Sequence, residues 1–273
     1  MKRIALALIL AGFSGILSVN GQVPGSNTSS ALEKLFSRLL TRTEDNDKLS
    51  INDSIQLIID SYAGSDTVLG HKFYNIKYLG QISSPDSRLK IITWNLLLTN
   101  SKSRYYCYFV NRSGKKNLVY KLTGSYNEKP VRADTTYSGD NWYGALYYDL
   151  RPVKKDNQVS WILLGIDYGN PAVTRKIIDV ASFTPEGRLV FGKSWFVAGN
   201  ETKYREVLEY SSSAVISLKF LSDRSIVFDH LVPISADYKG MKEYYGPDFS
   251  YDAYIFEKGM WRLKLNIDAR NRK

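Results

Sequence analysis

The residues of this chain whose types and spacing could do chemistry are carboxylates set among aromatic side chains. The stretch 244–261, YYGPDFSYDAYIFEKGMW, places Asp248 and Asp252 beside several tyrosines and a Gly-Pro turn. Two carboxylates about 5 to 10 Å apart across a sugar-binding groove can hydrolyse a glycosidic bond. The candidate ligand-binding residues are therefore Asp248, Asp252 and Tyr245 here, with Trp142 and Tyr143 in NWYGALYYDL. Because the chain has 20 Tyr and 27 acidic residues, such neighbourhoods also arise by chance, and no residue is predicted to be catalytic.

The orientation of Asp252 depends on the turn that joins two predicted strands near Lys258 and Gly259. If these two residues form the loop, Asp252 projects from the apolar face, which is costly for a carboxylate unless it is hydrogen-bonded. If Glu257 joins them in a three-residue loop with a left-handed glycine, Asp252 turns outward. The sequence suits both turns, and it favours a framework role for this hairpin over a binding role.

Other catalytic and ligand-binding patterns are missing from the sequence. His71 and His230 are the only histidines, they lack the spacing of a zinc motif, and no Gly-rich phosphate loop follows a predicted strand. Asp229 precedes His230, but adjacent strand residues point to opposite faces, so Asp229 is not placed to orient the histidine. Cys107, the only cysteine, lies in an apolar run and is predicted to be a buried structural residue. The sequence therefore predicts no metal and no cofactor.

The elements that must position these residues are mainly β-strands. From Phe73 onward, runs rich in β-branched and aromatic residues alternate with turn signals such as SPDS, TPEG and SDR. In WRLKLNI, the apolar residues at 261, 263, 265 and 267 are predicted to share one face. These patterns predict a mainly β fold of antiparallel sheets, with roughly ten or more strands. The patterns are consistent with three arrangements of these sheets: a sandwich, a barrel or an irregular propeller-like fold. The irregular spacing of the turns disfavours the propeller.

Two helices are predicted before this β region. SALE, from Ser30, is a capping-box pattern followed by apolar residues at helical spacing. SIND, from Ser50, opens a second apolar stripe that is expected to end at Gly64. The sequence thus predicts a short two-helix N-terminal segment over residues 22–70 and a single antiparallel β domain over 71–273.

Residues 1–21 have the order of a secretion signal. Lys2 and Arg3 precede an apolar run, and small residues lie just before Gln22. The run is short and interrupted by glycine, which disfavours a membrane span, and no nearby cysteine is available for a lipid anchor. We therefore expect an exported protein that starts at Gln22 and has no transmembrane span after cleavage. Its location would be periplasmic or extracellular, and association with the outer membrane is left open.

The net charge of the chain and its distribution limit the classes of partner that the chain is expected to bind. The formal net charge is +10 at pH 7, and the basic residues are scattered along the sequence. Nucleic-acid binders concentrate such charge on one face, so nucleic acid is not a predicted partner. Weak attraction to an anionic envelope surface is consistent with this charge.

Most of the chain after residue 70 resembles a family of uncharacterised exported proteins of Bacteroidota. The resemblance is carried by SPDSRLKIITWN, NWYGALYYDL, WILLGIDYGN, RKIIDVASF, VFDHLVP and YYGPDFSYDAY. It implies an envelope location and carries no activity. Two classes of function are consistent with the sequence. The first is a non-catalytic envelope protein that binds a protein or glycan partner or serves as an accessory subunit of an outer-membrane or periplasmic assembly. The second is a carbohydrate-active hydrolase with paired carboxylates. The absence of a nucleophile or metal motif favours the first.

The same resemblance implies O-linked glycosylation of a Ser or Thr that follows an Asp, where the third residue of the triplet is apolar or Thr. Such triplets make Ser54, Thr67 and Thr135 the candidate sites. Ser54 falls inside the second predicted helix, where access for a transferase is poor. Thr135 and Thr67 fall in polar connecting stretches and are therefore the favoured sites.

Overall fold

The structure, a computed structural model, describes residues 26–99, 103–127, 129–155 and 157–268. The predicted secretion signal and Gln22 lie outside these ranges. The fold is 48% strand and 19% helix, and all but one of the described strand pairings are antiparallel, which confirms the mainly β prediction. The helices are α1 (Ser26–Thr41) and α2 (Asp45–Ala63).

The strands form three sheets in the described part of the chain. The first sheet has the order β1-β2-β3-β4, with bounds Gly80–Ser83, Leu89–Leu97, Ser103–Ser113 and Lys116–Ser125. The second sheet has the order β5-β9-β8-β7-β6, and β12 also pairs with β8. In chain order, the bounds of its strands are Tyr137–Ser138 (β5), Leu146–Lys155 (β6), Gln158–Asp167 (β7), Val173–Phe183 (β8), Leu189–Phe191 (β9) and Glu206–Ser211 (β12). The third has the order β11-β10-β16-β15-β14-β13, with bounds Phe196–Ala198 (β10), Glu201–Lys203 (β11), Leu218–Ser222 (β13), Ser225–Pro233 (β14), Tyr245–Glu257 (β15) and Met260–Lys264 (β16).

The two helices begin earlier than the sequence indicated. Ser30 lies inside α1, which starts at Ser26, rather than at its cap, and the fully buried Leu32 follows it. The prediction that α2 starts at Ser50 is also wrong. The helix starts at Asp45, where Asp45 and Asp47 place negative charge in the first turn, which stabilises a helix N-terminus. Gly64 is the C-cap of α2, as predicted.

Three apolar clusters hold the layers together. The first lies between the helices and the first sheet, where the Trp94 indole donates a hydrogen bond to Asn52 Oδ1 over 2.8 Å. The second lies between the first and second sheets and contains the fully buried Cys107, which confirms its structural role. The third lies between the second and third sheets around Trp261. The sheets therefore stack face to face as open layers.

The C-terminal hairpin has the two-residue loop. Glu257 pairs with Met260, and Lys258 and Gly259 both have positive φ, of 50° and 77°. Asp252 consequently points into the layer between the second and third sheets. The predicted face of WRLKLNI holds for residues 261 and 263 but is wrong for Leu265, which is exposed. The strand ends at Lys264, and the chain then turns at Asn266, whose φ is 53°.

Lys258→Asn is expected to raise the free energy of unfolding by about 0.5–1 kcal/mol, because a left-handed backbone is costly for most side chains and less so for asparagine. Urea denaturation measures the change. The matched control is Lys115→Asn, in the two-residue loop between β3 and β4, where the lysine has no positive φ. An equal gain in the control, or no gain at Lys258, would contradict this explanation.

Candidate functional site

A cavity of about 690 Å³ lies at one end of the first and second sheets, and we call it the arginine–aromatic pocket. Its described lining residues are Ser125, Asn127, Lys129, Pro130, Val131, Arg132, Ala133, Tyr137, Asn141, Trp142, Tyr143 and Arg175. Two of the predicted ligand-binding residues, Trp142 and Tyr143, belong to this set. None of the described lining residues is acidic.

Arg205 organises one wall of the pocket. Its guanidinium is fully buried and donates to the backbone carbonyls of Arg132, Thr135 and Phe191. The loop that carries Arg132 and Thr135 has little regular structure, so these bonds replace the hydrogen bonds that a strand would supply. Gly192 allows the approach, since a Cβ at that position would lie 2.5 Å from Arg205 Nη2.

A buried ion pair lies beneath the aromatic wall. Arg205 Nε donates to Asp179 Oδ2 over 2.9 Å, and the Tyr143 hydroxyl donates to the same oxygen over 2.8 Å. Burial raises the pKa of the Asp179 carboxyl, and the adjacent Arg205 opposes that rise. Burial, followed by the charge of Asp179, raises the pKa of Tyr143 well above its ordinary value. Tyr143 therefore stays protonated as a donor, and its ring position is fixed.

Arg175 forms the second anchor of the pocket. It is buried, its Nε donates to Glu209 over 2.8 Å, and its Nη1 lies 3.3 Å from Asp167 Oδ2. The same Nη1 donates to the carbonyl of Asn127, which holds the start of the loop against the second sheet. Two guanidinium groups thus fix both ends of one loop, and the pocket is preorganised.

The aromatic residues form the floor rather than an open platform. The Trp142 side chain is buried, and its Nε1 donates to the hydroxyl of Tyr147 over 2.9 Å. Tyr137 packs edge-on against Tyr143, and its hydroxyl accepts a hydrogen bond from the backbone N–H of Arg132. Asn127, Lys129 and Asn141 place polar groups in the lining. The arrangement therefore places aromatic side chains beside the polar groups of these three residues, while the Trp142 indole and the Tyr143 hydroxyl donate within the protein.

Asp248, Asp252 and Tyr245 lie on the third sheet, apart from the arginine–aromatic pocket. Trp142 packs in the cluster between the first and second sheets, whereas Tyr245 packs against the cluster between the second and third. The Tyr245 ring lies under Lys242 Nζ, and its hydroxyl accepts from the N–H of Gly240. Asp248 is exposed, and hydrogen bonds from Ser250 lower its pKa. The structure therefore does not unite the five predicted residues in one site.

Asp252 is 5% exposed and is paired with His230. His230 Nδ1 lies 2.7 Å from Asp252 Oδ2, and the other carboxylate oxygen accepts from the N–H of Asn266. Asp229, which the sequence did not place to orient the histidine, accepts a hydrogen bond from the N–H of Ser217. A register shift between residues 229 and 231 turns His230 towards the neighbouring strand. Because the two-residue turn directs Asp252 to the apolar face, this carboxylate needs a buried hydrogen-bond partner, and His230 and Asn266 supply it.

Arg175, Asp179 and Arg205 are not among the site residues predicted from the sequence. A usable signal existed for Asp179, because a lone carboxylate inside the apolar run KIIDVASF indicates a buried charge with a partner. Nothing local marks Arg205 as that partner, since it lies 26 residues away in an ordinary polar stretch.

The three glycosylation candidates have different environments. Ser54 lies within α2, and its hydroxyl donates to the carbonyl of Ser50. Thr67 and Thr135 are half-buried in connecting segments, and the Thr135 carbonyl is one of the groups held by Arg205. Modification at these residues stays a prediction.

Comparison with known proteins finds no match among family models, curated proteins or solved structures. Fold and site define a class: a β protein of three stacked open sheets, with two packed helices and a preorganised pocket. Within the described ranges, no group of three or more His, Cys, Asp or Glu is arranged to hold a metal ion. No helix in the same ranges is long and apolar enough to cross a membrane.

Proposed function

We propose that this protein is a non-catalytic binding protein of the cell envelope, and that the arginine–aromatic pocket holds a glycan. The observation that carries the proposal is the lining of this 690 Å³ cavity, in which tyrosine and tryptophan side chains occur together with guanidinium, ammonium, amide and hydroxyl groups. The volume falls within the range of about 300–1,000 Å³ that is usual for small-molecule sites. A saccharide offers both the apolar faces and the oxygen acceptors that such a lining binds.

The chemistry of the lining favours binding over hydrolysis. A glycosidase of the usual kind needs two carboxylates at the scissile bond, and the described lining supplies none. The carboxylates predicted for that role are elsewhere, and Asp252 is already engaged by His230 and Asn266. The envelope location rests on the secretion-signal pattern and on the family resemblance.

Isothermal titration calorimetry with neutral and uronic-acid oligosaccharides tests the proposal. We expect at least one oligosaccharide to bind, and Arg132→Ala to weaken its binding about tenfold, because a hydrogen bond from a charged donor contributes about 1.5–3 kcal/mol. The matched control is Arg188→Ala. Both arginines are exposed and paired with a nearby carboxylate, but only Arg132 lines the pocket.

Two outcomes would overturn the proposal. One is no binding by any oligosaccharide of the panel. The other is cleavage of a bound oligosaccharide by the full-length protein, which would establish the hydrolase alternative.

A further inference from the structure

A second concave site lies where the helices meet the end of β2. We call it the helix–sheet groove, and its volume is about 350 Å³. Its described lining residues are Phe36, Leu39, Leu40, Arg42, Lys48, Tyr78, Asn95, Leu96, Leu97 and Tyr168. The groove shares no described lining residue with the arginine–aromatic pocket.

Four large apolar side chains are exposed at this one groove. Leu40, Leu97, Tyr78 and Tyr168 are each 52–59% exposed, although they come from four separate parts of the chain. Single exposed apolar residues are ordinary, but several that converge on one concavity indicate a binding surface. The buried floor beneath them is apolar as well and consists of Phe36, Leu39 and Leu96.

The backbone of Tyr78 is strained at this groove. Its φ is 69°, in the left-handed region that bulky residues avoid. Strain of this kind persists where the surrounding structure imposes it, and it is concentrated at ligand sites. The conformation places an aromatic ring with a polar hydroxyl in the groove lining.

The charged part of the lining is basic. Arg42 and Lys48 are the only charged residues among the described lining residues, and neither forms an ion pair with another described residue. Lys48 Nζ donates to the carbonyl of Leu97 over 2.8 Å, so the ammonium lies directly beside the apolar walls. Glu44, Asp45 and Asp47 lie between these two basic residues in the sequence, and Asp45 accepts the backbone N–H of Thr99. Hydrogen bonds from Thr99, with a smaller contribution from the charge of Lys48, lower the pKa of Asp45.

We infer that the helix–sheet groove binds a single-chain amphiphile with an anionic headgroup. The apolar walls take the alkyl chain, and Arg42 and Lys48 take the headgroup. The concave shape and the volume suit a small molecule, near the lower end of the usual range. A protein partner is less well matched, because a stable protein interface needs about 800 Å² from each partner, more than a groove with ten described lining residues provides.

Titration calorimetry of the full-length protein with decanoate, below its micelle concentration, tests the inference. We expect saturable binding of one decanoate per chain, weaker binding of the neutral 1-decanol, and the weakest binding of decyltrimethylammonium. Acetate should not bind, because it lacks the chain. Failure of glycan binding at the other pocket would leave this result unaffected.

Matched pairs of variants test whether decanoate binds at the helix–sheet groove. Leu40→Asp should weaken decanoate binding at least about tenfold, because the wall loses apolar surface and gains a repelling charge. Leu57→Asp is its control, since Leu57 is exposed on α2 and lies outside the groove. Arg42→Gln should weaken binding about threefold, with Arg38→Gln on α1 as its control.

Three results would overturn the inference. They are no saturable binding of decanoate, equal binding of the cationic amphiphile, and equal weakening by a control variant. Light scattering that showed a dimer dissociated by Leu40→Asp would also overturn it, because a second copy of the chain would then cover the groove.

Discussion

Arg205→Met is expected to lower the free energy of unfolding by about 3–5 kcal/mol, the usual cost of removing one partner from a buried ion pair. Both side chains of the Arg205–Asp179 pair are fully buried, so the variant leaves a carboxylate in the interior without its counter-charge. Three backbone carbonyls lose their donors as well. Urea denaturation followed by circular dichroism measures the loss.

The control for this variant is Arg188→Met, which removes an exposed arginine paired with Glu186 over 3.8 Å. Its cost should stay within about 0.5 kcal/mol, as is usual for surface changes. Adding Asp179→Leu to Arg205→Met should recover part of the stability, because no unpaired charge then remains in the core. A cost below about 1 kcal/mol for Arg205→Met alone would show that the pair does not stabilise the layer.

Lys90→Met is expected to raise the free energy of unfolding at pH 7 by up to about 3 kcal/mol, and the gain should shrink as the pH rises towards 10. Lys90 is only 1% exposed and forms no ion pair with a described residue; it donates to the carbonyl of His71 and lies 5.5 Å from the Tyr62 ring centroid. Burial, assisted by the charge of Lys72, lowers the pKa of Lys90 from 10.5 to about 8.

The sign of the pH dependence follows from proton binding. Below pH 8 both the folded and the unfolded chain carry the Lys90 proton, and the cost of burying the charge is fully present. Between pH 8 and 10.5 the unfolded chain holds a proton that the folded chain has released, so stability rises with pH. The methionine variant lacks this rise, and its advantage over the natural chain therefore falls across the same window.

Urea denaturation at pH 7, 8, 9 and 10 measures the difference between the two proteins. Lys116→Met, an exposed lysine at the start of β4, is the control and should show a small difference at every pH. If Lys90→Met destabilises the protein at pH 7, the hydrogen bond to His71 outweighs the cost of burying the ammonium, and the explanation fails.

The site residues predicted from the sequence lie in two separate parts of the structure. Trp142 and Tyr143 are predicted from aromatic residues that cluster in a strand region, and both line the arginine–aromatic pocket. Asp248 and Asp252 were identified by the same reasoning, yet they lie on another sheet. Composition within a short stretch indicates ring surface and charge, but it contains no information about which stretches meet across a core.

What the sequence determined by itself is local: alternating apolar residues gave the strands, apolar stripes gave the two helices, and Gly64 gave the end of α2. Even the inward direction of Asp252 followed from one of two allowed turns. Only the tertiary structure decided which turn formed, that His230 meets Asp252, and that Arg205 meets Asp179 from 26 residues away. These contacts depend on how the three sheets pack against one another. The partner of a buried charge lies on a neighbouring strand or loop of the fold and not close to it in the sequence.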